Sequence, residues 1–163
     1  MQDLCNVPRH PEYPRKVWIV IEQPCNERYR YQFDPETNTF ERTAIRSLIY
    51  VRGFRGAYGW IGGTGTPPEP HFDVILITQL NLQPGDVVLG YVSGVFLRND
   101  NDHKFVALDE IHKAEIAQVD IAALNIETYK ELTALYPQIN ENEGWFGREI
   151  AFAHLTHHNP KHD

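Results

Sequence analysis

Apolar and polar positions alternate with the period of strands through the first two thirds of the chain, then switch to the period of helices. Val17-Trp18-Ile19-Val20-Ile21-Glu22 is a β-branched run that stops at Pro24, and Tyr29-Arg30-Tyr31-Gln32-Phe33 alternates aromatic and polar residues as a half-buried strand does. Asp34-Pro35-Glu36-Thr37-Asn38 has turn chemistry: a carboxylate that accepts from nearby amides, a preset φ, and an Asn tolerant of the left-handed region. Thr39-Phe40-Glu41 begins the return strand. Residues 45–51 read as a further strand, and the stretch 53–70 is dense enough in glycine and proline to predict a long loop of the kind that carries function. Residues 74–77, 87–96 and 104–108 supply the remaining strands, with Gln83-Pro84-Gly85-Asp86 as a turn before the second of them.

After Asp109 the texture changes. Ile126, Tyr129, Leu132, Leu135 and Tyr136 recur at spacings of three and four behind Asn125, a helix N-cap. A second helix is predicted over residues 147–157, with Ile150, Ala151 and His154 or Leu155 facing inward. The pattern as a whole predicts a mainly β, α+β protein: a small closed antiparallel β-barrel, OB-like, flanked by two C-terminal helices. One domain over residues 1–163 is expected, with the Pro-rich residues 1–16 as an arm on its surface.

Composition narrows the functional classes. Fifteen Lys and Arg against 22 Asp and Glu give a formal charge of −7, which argues against general binding of nucleic acid phosphates. No apolar run reaches the 18 or so residues that cross a bilayer, and the N-terminus lacks the features of a signal peptide, so no membrane partner and a cytoplasmic location are expected. Cys5 and Cys25 form no Cys-x-x-Cys pair and read as free structural thiols. The charge average hides a cluster: Arg28, Arg30, Arg42, Arg46, Arg52 and Arg55 are interrupted only by Asp34, Glu36 and Glu41, and together could build an anion site. His154, His157, His158 and His162 form a possible metal cluster with no acid nearby except Asp163, and read instead as a polar helix end and tail.

Several strings, in order, resemble the soluble (family I) inorganic pyrophosphatases from residue 17 to about residue 155. They are Ile21-Glu22-Gln23-Pro24, Arg30-Tyr31-Gln32-Phe33-Asp34, Tyr58-Gly59-Trp60-Ile61, Phe72-Asp73-Val74-Ile75-Leu76, Leu82-Gln83-Pro84-Gly85, Gly94-Val95, Lys104-Phe105-Val106-Ala107 and Gly144-Trp145. The resemblance implies attack of a metal-activated water on pyrophosphate, with three or four Mg²⁺ held by carboxylates and the phosphates held by basic and phenolic side chains. It implies metal roles for Glu22, Asp73, Asp102 and, across a turn three residues shorter than usual, Asp100. It implies phosphate roles for Arg30, Arg46, Tyr58, Lys104 and Tyr136, and more weakly a homohexamer.

The departures lie where the chemistry sits. The family's Asp-x-Asp-x-x-Asp-Val reads Pro68-Glu69-Pro70-His71-Phe72-Asp73-Val74, so the position expected to hold the general base is Pro70. Gln32 replaces a carboxylate, Arg30 a Lys, Phe54 a Tyr, and Pro137 the Lys that would follow Tyr136. Three carboxylates and one cation fewer make the pocket more positive, which favours an anion held directly by the protein and fewer Mg²⁺ than in the family. Glu69, His71 and Asp73 share one face of an extended segment, where they could ligate Mn²⁺, Co²⁺ or Zn²⁺; otherwise Glu69 and His71 are solvated loop residues. The expected function is binding of phosphate, pyrophosphate or a phosphorylated metabolite with weak or lost diphosphate hydrolysis. The alternatives are an active metal-dependent diphosphatase with rearranged ligands and a non-catalytic interaction subunit.

Overall fold

Strand β1 (Lys16–Pro24) is apolar on both faces because both of its edges are paired and both of its faces are covered. In the computed structural model, which describes residues 2–160, the other strands are β2 (Tyr29–Asp34), β3 (Thr39–Arg46), β4 (Gly56–Ile61), β5 (Asp73–Ile77), β6 (Val87–Leu97), β7 (Lys104–Leu108) and β8 (Gly144–Gly147). The order β1-β4-β5-β7-β6 is closed by pairing of β1 with β6, giving a five-stranded barrel, with β8 added on β6 and β2–β3 as a separate hairpin. Four helices flank it: α1 (Leu48–Val51), α2 (Glu110–Ala114), α3 (Ile126–Thr133) and α4 (Arg148–His157). None of the helices is long and apolar enough to cross a membrane.

The barrel is mixed, since β5 and β7 run parallel while the other pairs are antiparallel. The chain passes from β5 through β6 before β7 and returns to the free edge of β5 in the same direction. The period-two pattern then splits the core: Val74 and Leu76 join the cluster with Val17, Ile19, Phe105, Ala151 and Leu155, while Ile75 and Ile77 join that with Ile49, Phe54, Val106, Leu132 and Leu135. Truncating a fully buried residue such as Leu132 costs about 2–5 kcal/mol.

The pattern does not predict helix α2 or strand β8, and three further stretches differ from it. Residues 45–51 are not one strand: β3 ends at Arg46, Ser47 is the cap, and one turn of helix follows, with Val51 N donating to Ser47 O at 3.0 Å. The turn drops Ile49 into the core, 3% exposed, and leaves Val51 outside. The predicted loop 53–70 contains strand β4. Its glycines are there for close strand packing, because a Cβ on Gly59 would sit 1.9 Å from Val20 O and one on Gly56 2.4 Å from Leu76 O. In α4, Ala151 and Leu155 are buried as expected, but Ile150 is exposed.

At the N-terminus, Asp3 caps a 3₁₀ turn over Leu4–Asn6, and Leu4 and Val7 are buried against Trp60 and Phe33. Asn38 holds this segment by accepting from Leu4 N at 2.9 Å and donating to Gln2 O at 2.8 Å. The first residues therefore pack on the barrel. Asn125 caps α3 through Thr128 N at 2.8 Å, and both cysteines are free thiols.

Candidate functional site

Parallel register brings Asp73 and Lys104, the first residues of β5 and β7, side by side. Lys104 Nζ donates to Asp73 Oδ2 at 2.9 Å, to Tyr58 Oη at 2.9 Å and to Asp102 Oδ1 at 3.2 Å. Its three N–H donors thus have three partners. On the other side of Asp73, His71 Nε2 lies 2.9 Å from Oδ1, and His71 Nδ1 lies 2.7 Å from Glu69 O. A carbonyl and a carboxylate can only accept, so both contacts are hydrogen bonds when both ring nitrogens carry protons, and the pair favours the charged imidazole.

The titration tendencies follow. Burial works against a charge on Asp73, but the hydrogen bond from His71 and the nearby charges of Lys104 and His71 hold its pKa well below the usual carboxylate range. Burial likewise disfavours charge on His71 and Lys104, but Asp73, together with Glu69 O and Glu22 for His71 and with Tyr136 and Asp102 for Lys104, outweighs it, so their pKa values rise. Glu22 is pushed up to about 7, first by burial and then by repulsion from Asp73, with His71, Arg30 and Lys104 offsetting part of the effect. Burial, then Asp73 and Glu22, keep the Tyr58 phenol neutral.

Two adjoining chambers open above this cluster. The first, of about 400 Å³, is lined by Glu22, Glu69, His71 and Asp73, together with Gln32, Pro68 and Pro70. The second, of about 320 Å³, is lined by Arg46, Arg98 and Tyr136 among others. Arg30, Tyr58, Asp102 and Lys104 face both. Asp100 lines neither chamber; its Oδ1 accepts from Asp102 N at 3.0 Å and its Oδ2 lies 3.5 Å from Arg98. Phe54 is in the core and Pro137 is exposed on the outside.

The six clustered arginines do not converge. Arg30 and Arg46 reach the chambers, whereas Arg42 lies over the Tyr29 ring at 4.9 Å, Arg28 over Tyr50 at 5.9 Å, and Arg55 pairs with Glu131 at 3.1 Å. Arg28 precedes β2 and Arg55 precedes β4, so these two lie outside the hairpin that carries Arg30, Arg42 and Arg46, and Arg28, Arg42 and Arg55 each find a local aromatic or acidic partner. The cation that sequence reasoning missed is Arg98, which leaves β6 one residue after its end, packs over Tyr136 at 5.6 Å and lies 4.0 Å from Asp102. Its signal was a lone cation six residues before Lys104 in the short turn joining β6 to β7.

Among the described residues no group of three or more His, Cys, Asp or Glu side chains is arranged to hold a metal ion. Glu69 contributes its carbonyl to His71 while its side chain is exposed. His154 stacks on His158 with ring centres 4.3 Å apart and meets the edge of His103 at 5.0 Å, while His157 is exposed. His162 and Asp163 lie outside the described residues.

Comparison with known proteins gives one consistent match, although no family model matches the chain. An inorganic pyrophosphatase of Escherichia coli strain K12 is 28% identical over 177 residues, covering 94% of this chain and 94% of its own. One from Pseudomonas aeruginosa is 25% identical over 166 residues, covering 92% and 93%. Among solved structures, the inorganic pyrophosphatase from Ehrlichia chaffeensis superimposes with a TM-score of 0.72 at 20% identity, over 93% of this chain and 97% of its own. Over nearly its whole length the chain is therefore similar in sequence to inorganic pyrophosphatases and shares their fold.

Proposed function

We propose that the paired chambers bind phosphate, pyrophosphate or a phosphorylated metabolite, and that diphosphate hydrolysis is weak or lost. The observation that carries this reading is the charge of the second chamber, where Arg30, Arg46, Arg98 and Lys104 face Asp102 as the lone acid in its lining. Charge-assisted bonds from the three arginines can hold phosphoryl oxygens directly, while Lys104, its donors engaged by Asp73, Tyr58 and Asp102, adds positive charge nearby. Hydrolysis is another matter, because Pro70 and Pro68 border the first chamber without a side-chain oxygen, and loss of a positioned base costs about 10²- to 10⁴-fold in rate.

Kinship with inorganic pyrophosphatases implies dependence on divalent metal in general. The donor set of this chain does not fit several Mg²⁺ ions. Each oxygen of Asp73 already faces a protein cation, and no three-donor group is present among the described residues. An active diphosphatase with Glu69, His71 and Asp73 as rearranged ligands would require His71 to give up a bond at one of its two nitrogens. The homo-oligomer implied by the resemblance belongs to the same proposal and is measured by sedimentation.

Pyrophosphate hydrolysis assayed in parallel with Mg²⁺, Mn²⁺, Co²⁺ and Zn²⁺ tests the reading, alongside calorimetric titration with phosphate and pyrophosphate. Anion binding with negligible turnover is expected. Turnover of about 10 s⁻¹ or more, the ordinary enzyme range, overturns the claim of weak hydrolysis.

A further inference from the structure

We infer that Arg98 and Lys104 stand where divalent cations would act, with Asp73 and Asp102 as their counter-ions, so that the phosphoryl anion is bound without metal. The inference rests on the anion-binding reading above and adds what supplies the positive charge. Both oxygens of both aspartates are engaged by cations of the chain. Asp73 Oδ2 meets Lys104 at 2.9 Å and Asp73 Oδ1 meets His71 at 2.9 Å, while Asp102 Oδ1 meets Lys104 at 3.2 Å and Asp102 Oδ2 meets Arg98 at 4.0 Å.

A Mg²⁺ ion demands near-octahedral oxygen ligands at about 2.0–2.1 Å and usually one or two carboxylates. A dication entering at these aspartates would have to displace, or lie beside, the ammonium and guanidinium groups that already offset their charge. Lys104 is 6% exposed, held on three sides, and cannot swing into water. Expelling it from its partners would leave an unpaired charge in an enclosed place, which is strongly unfavourable.

Arg98 is anchored through its backbone. Its backbone N donates to His103 Nδ1 at 2.9 Å, the next residue's N donates to Glu143 Oε2 at 2.9 Å, and its guanidinium lies over Tyr136 between Asp100 and Asp102. A guanidinium has five N–H donors in a rigid fork, so two ion-pair contacts leave others for an anion in the second chamber, which Arg98 lines. This position is preorganised by the turn, and the charge needs no ion from solution.

The test is calorimetric titration of the full chain with inorganic phosphate and with pyrophosphate, once in EDTA and once in excess Mg²⁺. Affinities in the two conditions are expected to agree within about threefold, and Arg98→Gln in EDTA should lose about ten- to a hundredfold, with Arg98→Lys losing less. Binding that appears only with Mg²⁺ overturns the inference and leaves the anion-binding reading standing. Absence of binding in either condition overturns both. Equal parent affinities with a folded Arg98→Gln variant unchanged would remove Arg98 from the site, and circular dichroism establishes folding. The parent comparison decides metal independence even where a variant fails to fold.

Discussion

Lys104 Nζ lies 2.9 Å from Asp73 Oδ2, and the two residues are direct partners in the parallel register of β5 and β7. Both side chains are nearly enclosed, at 7% and 11% exposure. Removing one member of a buried pair leaves an uncompensated charge and costs about 3–5 kcal/mol, whereas replacing both with apolar groups costs much less. Lys104→Met is therefore expected to lower the unfolding free energy in urea by about that amount. The double variant Asp73→Leu with Lys104→Met should lose less than the sum of the two singles. Additive losses would show that the pair is not coupled.

Arg46 lies at the end of β3 with its side chain on the second chamber. If it donates a charged hydrogen bond to the bound anion, Arg46→Ala weakens phosphate binding by about 1.5–3 kcal/mol with little change in stability, since the side chain is exposed. Calorimetry on the variant reads the loss directly, and unchanged affinity would exclude the contact.

The barrel was legible in the sequence because its strands are long β-branched runs, and the helices because Asn125 and the spacing of Leu132 mark the face and start of α3. Strand β4 was not. Glycine reads as a turn former when nothing is known of the neighbours, yet Gly56 and Gly59 exist because adjacent backbone leaves no space for a Cβ. The resemblance led to Asp73 and Lys104, but the ion pairing between them depends on a parallel register that one-dimensional spacing does not carry. Arg98 and the charged state of His71 depend likewise on contacts, Tyr136 for the first and Glu69 O for the second.

The same glycines give a test of packing against conformation. A Cβ on Gly59 meets backbone at 1.9 Å, whereas one on Gly53, at φ +69, meets nothing within 4 Å. Gly53→Ala should cost about 1–2 kcal/mol of left-handed strain. Gly59→Ala must move a strand, and its cost is expected to exceed about 3 kcal/mol, beyond the usual range for overpacking. Thermal or urea unfolding of the two variants ranks them, and the reverse order would contradict the strand packing.

Glu22 makes stability fall as pH rises. Its folded pKa of about 7 lies above the ordinary 4.5, so folding favours the protonated acid. The stabilising effect of protonation is full below the unfolded pKa and lost as pH rises through the window up to about 7, a difference of about 3 kcal/mol from 1.36 kcal/mol per unit. Glu22→Gln keeps the shape and removes the ionisation. Its gain over the parent should be near zero at about pH 4 and up to about 3 kcal/mol at about pH 8. A gain equal at both pH values would show that burial of the ionised form carries no cost.

Pro68 and Pro70 line the first chamber together with Asp73 and Glu22, so aspartates there would add carboxylate oxygens to it. The variant carrying both Pro68→Asp and Pro70→Asp is expected to gain Mg²⁺ affinity, because a hard cation takes carboxylate oxygens that are not already paired. Activity should recover only in part, since Gln32 still lines the first chamber without a carboxylate, and further gain is expected once Gln32→Glu is added. Loss of proline also frees φ in this loop and offsets some of the gain. Mg²⁺ titration by calorimetry on parent and double variant decides the matter. A parent that binds several Mg²⁺ ions tightly would mean that Asp73 and Asp102 release Lys104 and Arg98 to take metal, and the reading of lost hydrolysis would have to be withdrawn.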